Sequence, residues 1–206
     1  MLVTAIERQQ RRRRANVFLD GQFAIALSLD VIAEGGLHQG SDLSQAELDS
    51  LRERDTRQQA LAAGIRLLAY RPRSVAELRS RLTARRFGAT IIDETIARLR
   101  KLSLLDDAAF ARSWVESRER SSPRGKRMLQ FELRQKGVTQ PLAAEAVATI
   151  DEGEAAYRAA ERRARTAVVE DFETFRRRIG DFLRRRGFSY GTIEPVLRRL
   201  WQERGE

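Results

Sequence analysis

The sequence predicts a mainly α-helical protein: three tandem three-helix repeats in an elongated, curved array, preceded by a small N-terminal module with a β-hairpin. Three observations predict this fold. An Asp-Gly pair lies between apolar runs near the N-terminus, apolar residues take helical spacing from about residue 57, and that spacing recurs every 50 or 51 residues. The predicted segments are 1–53 for the module and its short helix, and 54–105, 106–152 and 153–206 for the three repeats.

The N-terminal module begins with a short alternating run over residues 3–7. The clearest strand signal follows, because residues 17–19 lead into Asp20-Gly21 and a second apolar run covers residues 22–29. Asp-Gly supplies the positive φ angles that a two-residue hairpin turn requires. These features predict a hairpin at the centre of the module.

Helix starts are marked by capping residues. Ser44 with Glu47 and Ser74 with Glu77 have the spacing of a capping box, in which a hydroxyl and a carboxylate satisfy the first free amides. Asp106 is expected to cap a further helix. Helices are therefore predicted to begin near residues 45, 75 and 107.

The helical repeat is anchored on three leucines of the middle helices: Leu82, Leu133 and Leu183. Apolar residues recur five, fourteen and seventeen positions after each anchor, as Phe87, Val138 and Phe188, then Ile96, Val147 and Leu197, then Leu99, Ile150 and Leu200. The helix upstream of each middle helix is marked by Leu61/Ile65/Leu68, by Phe110/Trp114 and by Tyr157/Ala160/Ala164. Matched offsets across three units make coincidental periodicity an inadequate explanation.

Burial explains why such units occur in tandem. A unit of about 50 residues is small for an independent core, and stacked neighbours can cover each other's apolar faces. Glycine is expected to end two middle helices, in Lys136-Gly137-Val138-Thr139 and Arg186-Gly187-Phe188-Ser189. The first repeat departs from this pattern, because Arg86-Phe87-Gly88 has its glycine later, and its turn geometry is left open.

Composition restricts the partners and the compartment. The chain has 39 Lys and Arg against 29 Asp and Glu, a net charge of +10, and no cysteine. Arginine binds phosphate and carboxylate at two points, so nucleic acid or a protein bound to it is a plausible partner. A high-GC genome explains the arginine excess equally well. No apolar run approaches a membrane span and no secretory leader opens the chain, which favours the cytoplasm.

A basic strip lies on the predicted middle helix of the second repeat, where Ser122 is expected to cap the helix and Pro123 to occupy its first turn. The strip contains Arg124, Lys126, Arg127, Arg134 and Lys136 against one acid, Glu132. All five cations are expected on the outside, where they form a surface for a negatively charged partner. A second basic run, Arg11 to Arg14, is either an arm that contacts phosphates or a solvated loop, and the loop is favoured.

No enzymatic site is predicted. His38 is the only histidine and is expected in a surface loop, and no phosphate-binding glycine loop or nucleophile elbow is present. Asp106, Asp107 and Glu116 resemble a magnesium site of a nuclease, but acids at a helix start are favoured by the helix dipole. Six aromatic residues are expected mainly in the core, because of their helical spacing: Phe110, Trp114, Phe131, Phe172, Phe175 and Phe182.

Three segments together resemble the RecX family of bacterial recombination regulators. They are LLAYRPRSVAELRSRL (Leu67–Leu82), LLDDAAFARSWVESR (Leu104–Arg118) and RGKRMLQFELRQKGV (Arg124–Val138). The resemblance is strong over about residues 57–150 and weaker in the C-terminal unit. The N-terminal hairpin segment is also similar to the leader of many members.

The resemblance implies a modulator of the RecA recombinase in DNA repair, homologous recombination and the SOS response. Such a protein is expected to lie in the groove of the RecA–single-stranded-DNA filament and to inhibit its ATPase, strand-exchange and co-protease activities. It implies a monomer with no catalytic activity, metal or cofactor. The residues that match the family's positive surface are Arg124, Lys126, Arg127, Arg134 and Lys136, with Arg184, Arg185 and Arg186 at the equivalent turn of the third repeat.

Two other functions remain open. A free-standing nucleic-acid-binding module without a recombinase partner is suggested by the charge of +10 alone, and it predicts salt-dependent binding to naked DNA. A nuclease that uses the acidic cluster predicts metal-dependent cleavage.

Overall fold

The computed structural model describes residues 1–10 and 13–204 and divides the chain into two compact units. Unit 1 contains residues 1–69 and 80–104, and unit 2 contains residues 70–79 and 105–206. The strands are β1 (Val3–Arg8), β2 (Arg14–Leu19) and β3 (Gln22–Ser28). The helices are α1 (Leu29–Glu34), α2 (Gln45–Tyr70), α3 (Val75–Thr83), α4 (Ala89–Lys101), α5 (Asp107–Ser121), α6 (Lys126–Gln135), α7 (Gln140–Val147), α8 (Glu152–Arg165), α9 (Phe172–Arg185) and α10 (Tyr190–Gln202).

Unit 1 begins with a three-stranded antiparallel sheet in the order β1-β2-β3. Asp20 and Gly21 form the predicted turn between β2 and β3, with φ angles of 47° and 83°. The predicted hairpin is therefore confirmed, and the alternating run over residues 3–7 forms its third strand. One face of the sheet is closed by fully buried Val3, Val17 and Leu27.

A buried ion pair joins the sheet to α2. Asp55 is 3% exposed, and its carboxylate accepts hydrogen bonds from Arg14 at 2.8 Å, from the Ser28 amide at 2.8 Å and from Gln59 at 2.7 Å. Burial by itself would raise the pKa of Asp55, but these donors outweigh it and lower the pKa. The carboxylate thus stays ionised at the point where β2, β3 and α2 meet.

The first repeat corrects one sequence prediction. The buried face of α2 carries Ala60, Ala63 and Gly64, whereas Ile65 is 40% exposed. Gly64 faces α4, because a Cβ added at Gly64 would lie 2.8 Å from Leu99 Cδ1. Close helix packing therefore selects the small side chains, and the larger apolar residues predicted for this face lie beside it or outside it.

The second and third repeats lie in unit 2 and follow the predicted pattern. Helices α5, α6 and α7 pack together, as do α8, α9 and α10. Eleven of the twelve residues at the matched positions of the three repeats are buried, and Phe87 is half-buried. The buried residues are Leu82, Leu133, Leu183, Val138, Phe188, Ile96, Val147, Leu197, Leu99, Ile150 and Leu200. The predicted mainly α fold with three three-helix repeats is confirmed.

The middle helices end in the same turn in all three repeats. The amides of Phe87, Val138 and Phe188 each donate to the carbonyl of the leucine five positions earlier, at 3.4, 3.0 and 3.3 Å. The left-handed residue before each of them is Gly137 (φ 78°), Gly187 (φ 83°) or, in the first repeat, Arg86 (φ 65°). The late glycine at position 88 therefore does not change the turn, because Arg86 adopts the conformation that glycine adopts elsewhere.

The predicted start of α6 is wrong by three residues. Gly125 is the N-terminal cap, and Ser122 instead ends α5. The hydroxyl of Ser122 instead accepts a hydrogen bond from Arg186 of the third repeat at 3.2 Å. By contrast, Asp106 caps α5 by accepting from the Ala108 amide at 2.8 Å, as predicted.

Candidate interaction surface

Arg124 is held by an acidic residue of its own repeat. Its guanidinium lies 2.6 Å from Glu132, which also accepts from Arg118 and from the indole nitrogen of Trp114, both at 2.9 Å. The side chain of Glu132 is only 12% exposed. The one acid of the basic strip therefore neutralises Arg124 and orients α5 against α6.

Lys136 lies where the turn after α6 meets the head of α3, a region that belongs to unit 2. Its ammonium is 2.9 Å from Glu77, and its backbone carbonyl accepts a hydrogen bond from the Ser74 hydroxyl. Burial would raise the pKa of Glu77, but hydrogen bonds from Arg71 and Lys136 outweigh it and hold the pKa at about 2. Lys136 is therefore engaged in a joint inside the protein.

Arg186 occupies the corresponding position after α9. Its guanidinium donates to the Ser122 hydroxyl at 3.2 Å and to the Pro123 carbonyl at 3.1 Å, and its backbone carbonyl accepts from the Gly125 amide at 3.0 Å. Burial lowers the pKa of Arg186, and nearby Arg124 and Arg163 lower it further. The last residue before each glycine thus reaches back to the head of the preceding middle helix.

Lys126 is also used locally. Its ammonium donates to the Ala148 carbonyl at 3.1 Å, and its backbone amide donates to Glu152 at 2.8 Å. Lys126 therefore fastens the start of α6 to the end of α7 and the start of α8. Four of the eight predicted interaction residues, namely Arg124, Lys126, Lys136 and Arg186, are only partly exposed and are held by partners that join different elements of unit 2.

The other four predicted residues are exposed. Arg134 makes a 3.4 Å contact with Gln140, and Arg184 pairs with Asp181 at 3.1 Å while its side chain stays 77% exposed. Within the part of the chain that the structure describes, no hydrogen bond or ion pair holds the side chain of Arg127 or Arg185. Of the eight predicted residues, these two arginines, with Arg134 and Arg184, are the ones whose guanidinium groups a partner can reach.

Three of these arginines surround a groove of about 520 Å³ between the second and third repeats. Its lining consists of Arg127, Met128, Phe131, Arg134, Arg184, Gly187, Phe188 and Ser189. Phe131 is 49% exposed, which corrects its predicted place in the core. Because α6 turns Leu129 and Leu133 inward, the residue between them points to the other side of the helix.

The second basic run lies in unit 1 and is only partly described. Arg13 pairs with Asp30 at 3.0 Å, and Arg14 forms the buried pair with Asp55. Arg11 and Arg12 lie outside the described residues. The basic-arm hypothesis therefore loses Arg14, which has a structural role.

Two of the three acidic residues considered for a nuclease site bind amides at helix starts, and the third, Glu116, is exposed in the middle of α5. Asp106 caps α5, and Asp107 accepts from the Val75 amide at 2.9 Å, at the start of α3. His38 is exposed in a loop, as predicted. Among residues 1–10 and 13–204, no cluster of three or more His, Asp or Glu side chains is arranged to hold a metal ion. In the same residues, none of the helices combines the length and apolarity needed to cross a bilayer.

Family models match four consecutive parts of the chain. The model of the regulatory protein RecX N-terminal domain matches residues 1–44, and those of the first, second and third three-helix domains of RecX match residues 60–99, 106–147 and 151–197. The third match covers the C-terminal unit, in which the sequence resemblance was weaker.

Individual proteins agree with these models. Regulatory protein RecX of Chlorobium limicola is 33% identical over 71% of this chain and 92% of its own length, and that of Bacillus pumilus is 26% identical over 99% and 79%. A crystal structure of regulatory protein RecX matches 95% of this chain and 98% of its own with a TM-score of 0.72 at 23% identity. RecX from Lactobacillus salivarius matches 72% and 99% with a TM-score of 0.66 at 24% identity.

Proposed function

The chain belongs to the RecX family of regulatory proteins, and from this membership we propose that it binds the RecA–single-stranded-DNA filament. Binding in the filament groove inhibits ATP hydrolysis, strand exchange and co-protease activity in recombination, DNA repair and the SOS response. The protein acts as a cytoplasmic monomer, without catalytic activity, metal or cofactor. The segments 1–53, 54–105, 106–152 and 153–206 are its proposed functional divisions, although α2 runs across the first boundary.

The observation that carries this proposal is the set of exposed arginines on the second and third repeats. Arg127, Arg134, Arg184 and Arg185 present their guanidinium groups to solvent. A guanidinium binds phosphate or carboxylate at two points, and several weak contacts on one protein add through effective concentration. A DNA-bound protein polymer offers both kinds of anion in repetition.

The eight predicted residues therefore divide into two roles. The four exposed arginines contact the filament directly. Arg124, Lys126, Lys136 and Arg186 support the surface from within, because they hold α6 and its neighbours in place. This division replaces the expectation that the whole strip is external. Substitutions in the two groups of residues can therefore be tested separately.

The decisive experiment is a titration of DNA-dependent ATP hydrolysis by RecA from the same organism. We expect hydrolysis to fall as the protein approaches stoichiometry with RecA, and the double variant Arg127→Glu/Arg134→Glu to inhibit at least about tenfold less strongly, because it replaces attraction by repulsion. Arg112→Glu is the matched control, since Arg112 is exposed on α5 and does not line the groove. Unchanged hydrolysis and strand exchange with the unaltered protein would refute the proposal.

The net charge of +10 supports a second candidate, a nucleic-acid-binding module that needs no recombinase. It predicts tight binding to naked single-stranded DNA that weakens steeply with salt. Fluorescence anisotropy with oligothymidine in the absence of RecA separates the two candidates. Weak binding to oligothymidine, together with inhibition of RecA at the same salt concentration, favours the filament.

A further inference from the structure

The groove between the second and third repeats differs from an ordinary basic surface because its floor is apolar. Met128 and Phe131 of α6 face Phe188, which follows the glycine turn of the third repeat. Phe188 is 4% exposed and closes the base, whereas Phe131 leaves half of its surface to solvent. An exposed aromatic side chain at the edge of a concave apolar surface is typical of binding sites.

The rim of this groove is cationic. Arg127, Arg134 and Arg184 line it, and no acidic residue is among its lining residues. Asp181 pairs with Arg184 from outside the groove and offsets part of its charge. The groove therefore has the polarity that complements a segment with carboxylates around an apolar centre.

We propose that this groove binds an acidic segment of a protein partner, with one bulky apolar side chain of that segment seated against Phe131, Met128 and Phe188. Carboxylates on either side of the seated residue pair with Arg127, Arg134 and Arg184. The inference rests on the proposed function, because it specifies which chemistry the protein component of the filament offers to this chain.

The groove suits a protein segment better than a DNA strand. Proteins that bind single strands without sequence preference stack successive bases on several exposed rings. Here one ring is exposed within the groove, and the rest of the floor is a thioether, a glycine backbone and a buried phenylalanine. A single anchoring side chain flanked by ionic contacts is a common arrangement in protein–protein interfaces.

Peptide binding tests this directly and without RecA. The probe is a fluorescein-labelled peptide in which one phenylalanine stands among glutamates and aspartates, and the comparison probes are the same peptide with alanine and an oligothymidine. We expect the phenylalanine peptide to bind at least about fivefold more tightly than the alanine peptide. The free energy gained by burying an aromatic side chain corresponds to a larger ratio of affinities than this.

Two variants assign the effect to the groove. Phe131→Ala should remove the preference for the phenylalanine peptide while circular dichroism shows an unchanged fold. The double variant Arg127→Glu/Arg184→Glu should lower the affinity for both peptides. Arg112→Glu is the charge control and should leave both affinities unchanged. Equal affinity for the two peptides, or oligothymidine binding that is lost with Phe131→Ala, overturns this inference. Neither outcome involves RecA, so the proposed function is judged separately by the ATPase titration.

Discussion

Gly137 and Gly187 each meet two requirements at one position. Both have positive φ angles, and both lie against the head of a preceding middle helix. A Cβ added at Gly137 would lie 2.2 Å from the Cβ of Ala76, and one at Gly187 would lie 2.4 Å from the Cβ of Met128. Glycine is thus required by backbone conformation and by packing.

Gly187→Ala should destabilise the protein by at least about 2 kcal/mol, because left-handed strain adds to overpacking. Gly191→Ala is the control. Gly191 lies in α10, and a Cβ added there would have no atom within 4 Å. Urea denaturation of both variants measures the difference. Equal stability of the two variants would show that the turn can relax at no cost.

Arg86 has the positive φ angle of 65° that favours glycine, but not the close packing that also requires glycine at positions 137 and 187. The first repeat follows the β-sheet module, so its turn is not pressed against an earlier middle helix. We therefore expect Arg86→Gly to raise stability by up to about 1 kcal/mol through relief of backbone strain. Arg81→Gly, within α3, should instead lower stability by about 1 kcal/mol. Thermal melts of the two variants should therefore shift in opposite directions.

Glu77 makes stability dependent on pH. Its pKa falls from 4.5 to about 2 in the folded protein, so its ionised form is stabilised by folding. This contribution is fully present above pH 4.5 and is lost as the pH falls towards 2. We expect the stability difference between the unaltered protein and Glu77→Gln to shrink over this range. A difference that stays constant from neutral pH downwards would contradict the assigned pKa.

At the scale of the element, α6 separates a packing face from a contact face. Leu133→Ala should cost about 2–5 kcal/mol, because Leu133 is fully buried. Phe131→Ala, two residues away on the same helix, should cost less than about 1 kcal/mol, because Phe131 is half exposed. Chemical denaturation of both variants checks the comparison, and a large loss from Phe131→Ala would mean that this side chain belongs to the core.

The sequence predicted the elements where local chemistry determines them. The Asp20-Gly21 turn, the cap at Asp106 and the buried repeat positions follow from residue type and spacing. The prediction for Ser122 failed because α5 extends up to this residue and α6 begins only after Gly125, whose amide binds the Arg186 carbonyl, a group distant in sequence. Phe131 was misplaced because spacing gives the period of a helix, but not how far its packing face extends.

At the scale of the whole molecule, the cations of the predicted surface separate into structural and exposed groups. Sequence gives the number of arginines and their helix positions, but an ion pair such as Lys136–Glu77 joins residues of different repeats. Spacing within one helix cannot reveal such a partner. Charge in the sequence therefore predicted which residues form the surface. Only the tertiary contacts show which of these residues a partner can reach.

This separation predicts opposite effects of two substitutions. Lys136→Met should lower stability because it leaves the carboxylate of Glu77 with one donor fewer, while RecA inhibition by the folded fraction is retained. Arg127→Glu should leave stability within about 0.5 kcal/mol and weaken inhibition. Denaturation and ATPase assays on both proteins test this. If both substitutions changed both quantities alike, the division into supporting and contacting cations would be wrong.

The two joints between repeats share one main-chain acceptor, the carbonyl of the residue before the glycine. At one joint the carbonyl before the glycine accepts from the Ser74 hydroxyl, and at the other it accepts from the Gly125 amide. Because the second and third repeats each contain both the carbonyl–glycine turn and the helix start, the connection is modular. An additional repeat copied in tandem would carry both mating parts with it, so gene duplication can lengthen this architecture without inventing a new interface.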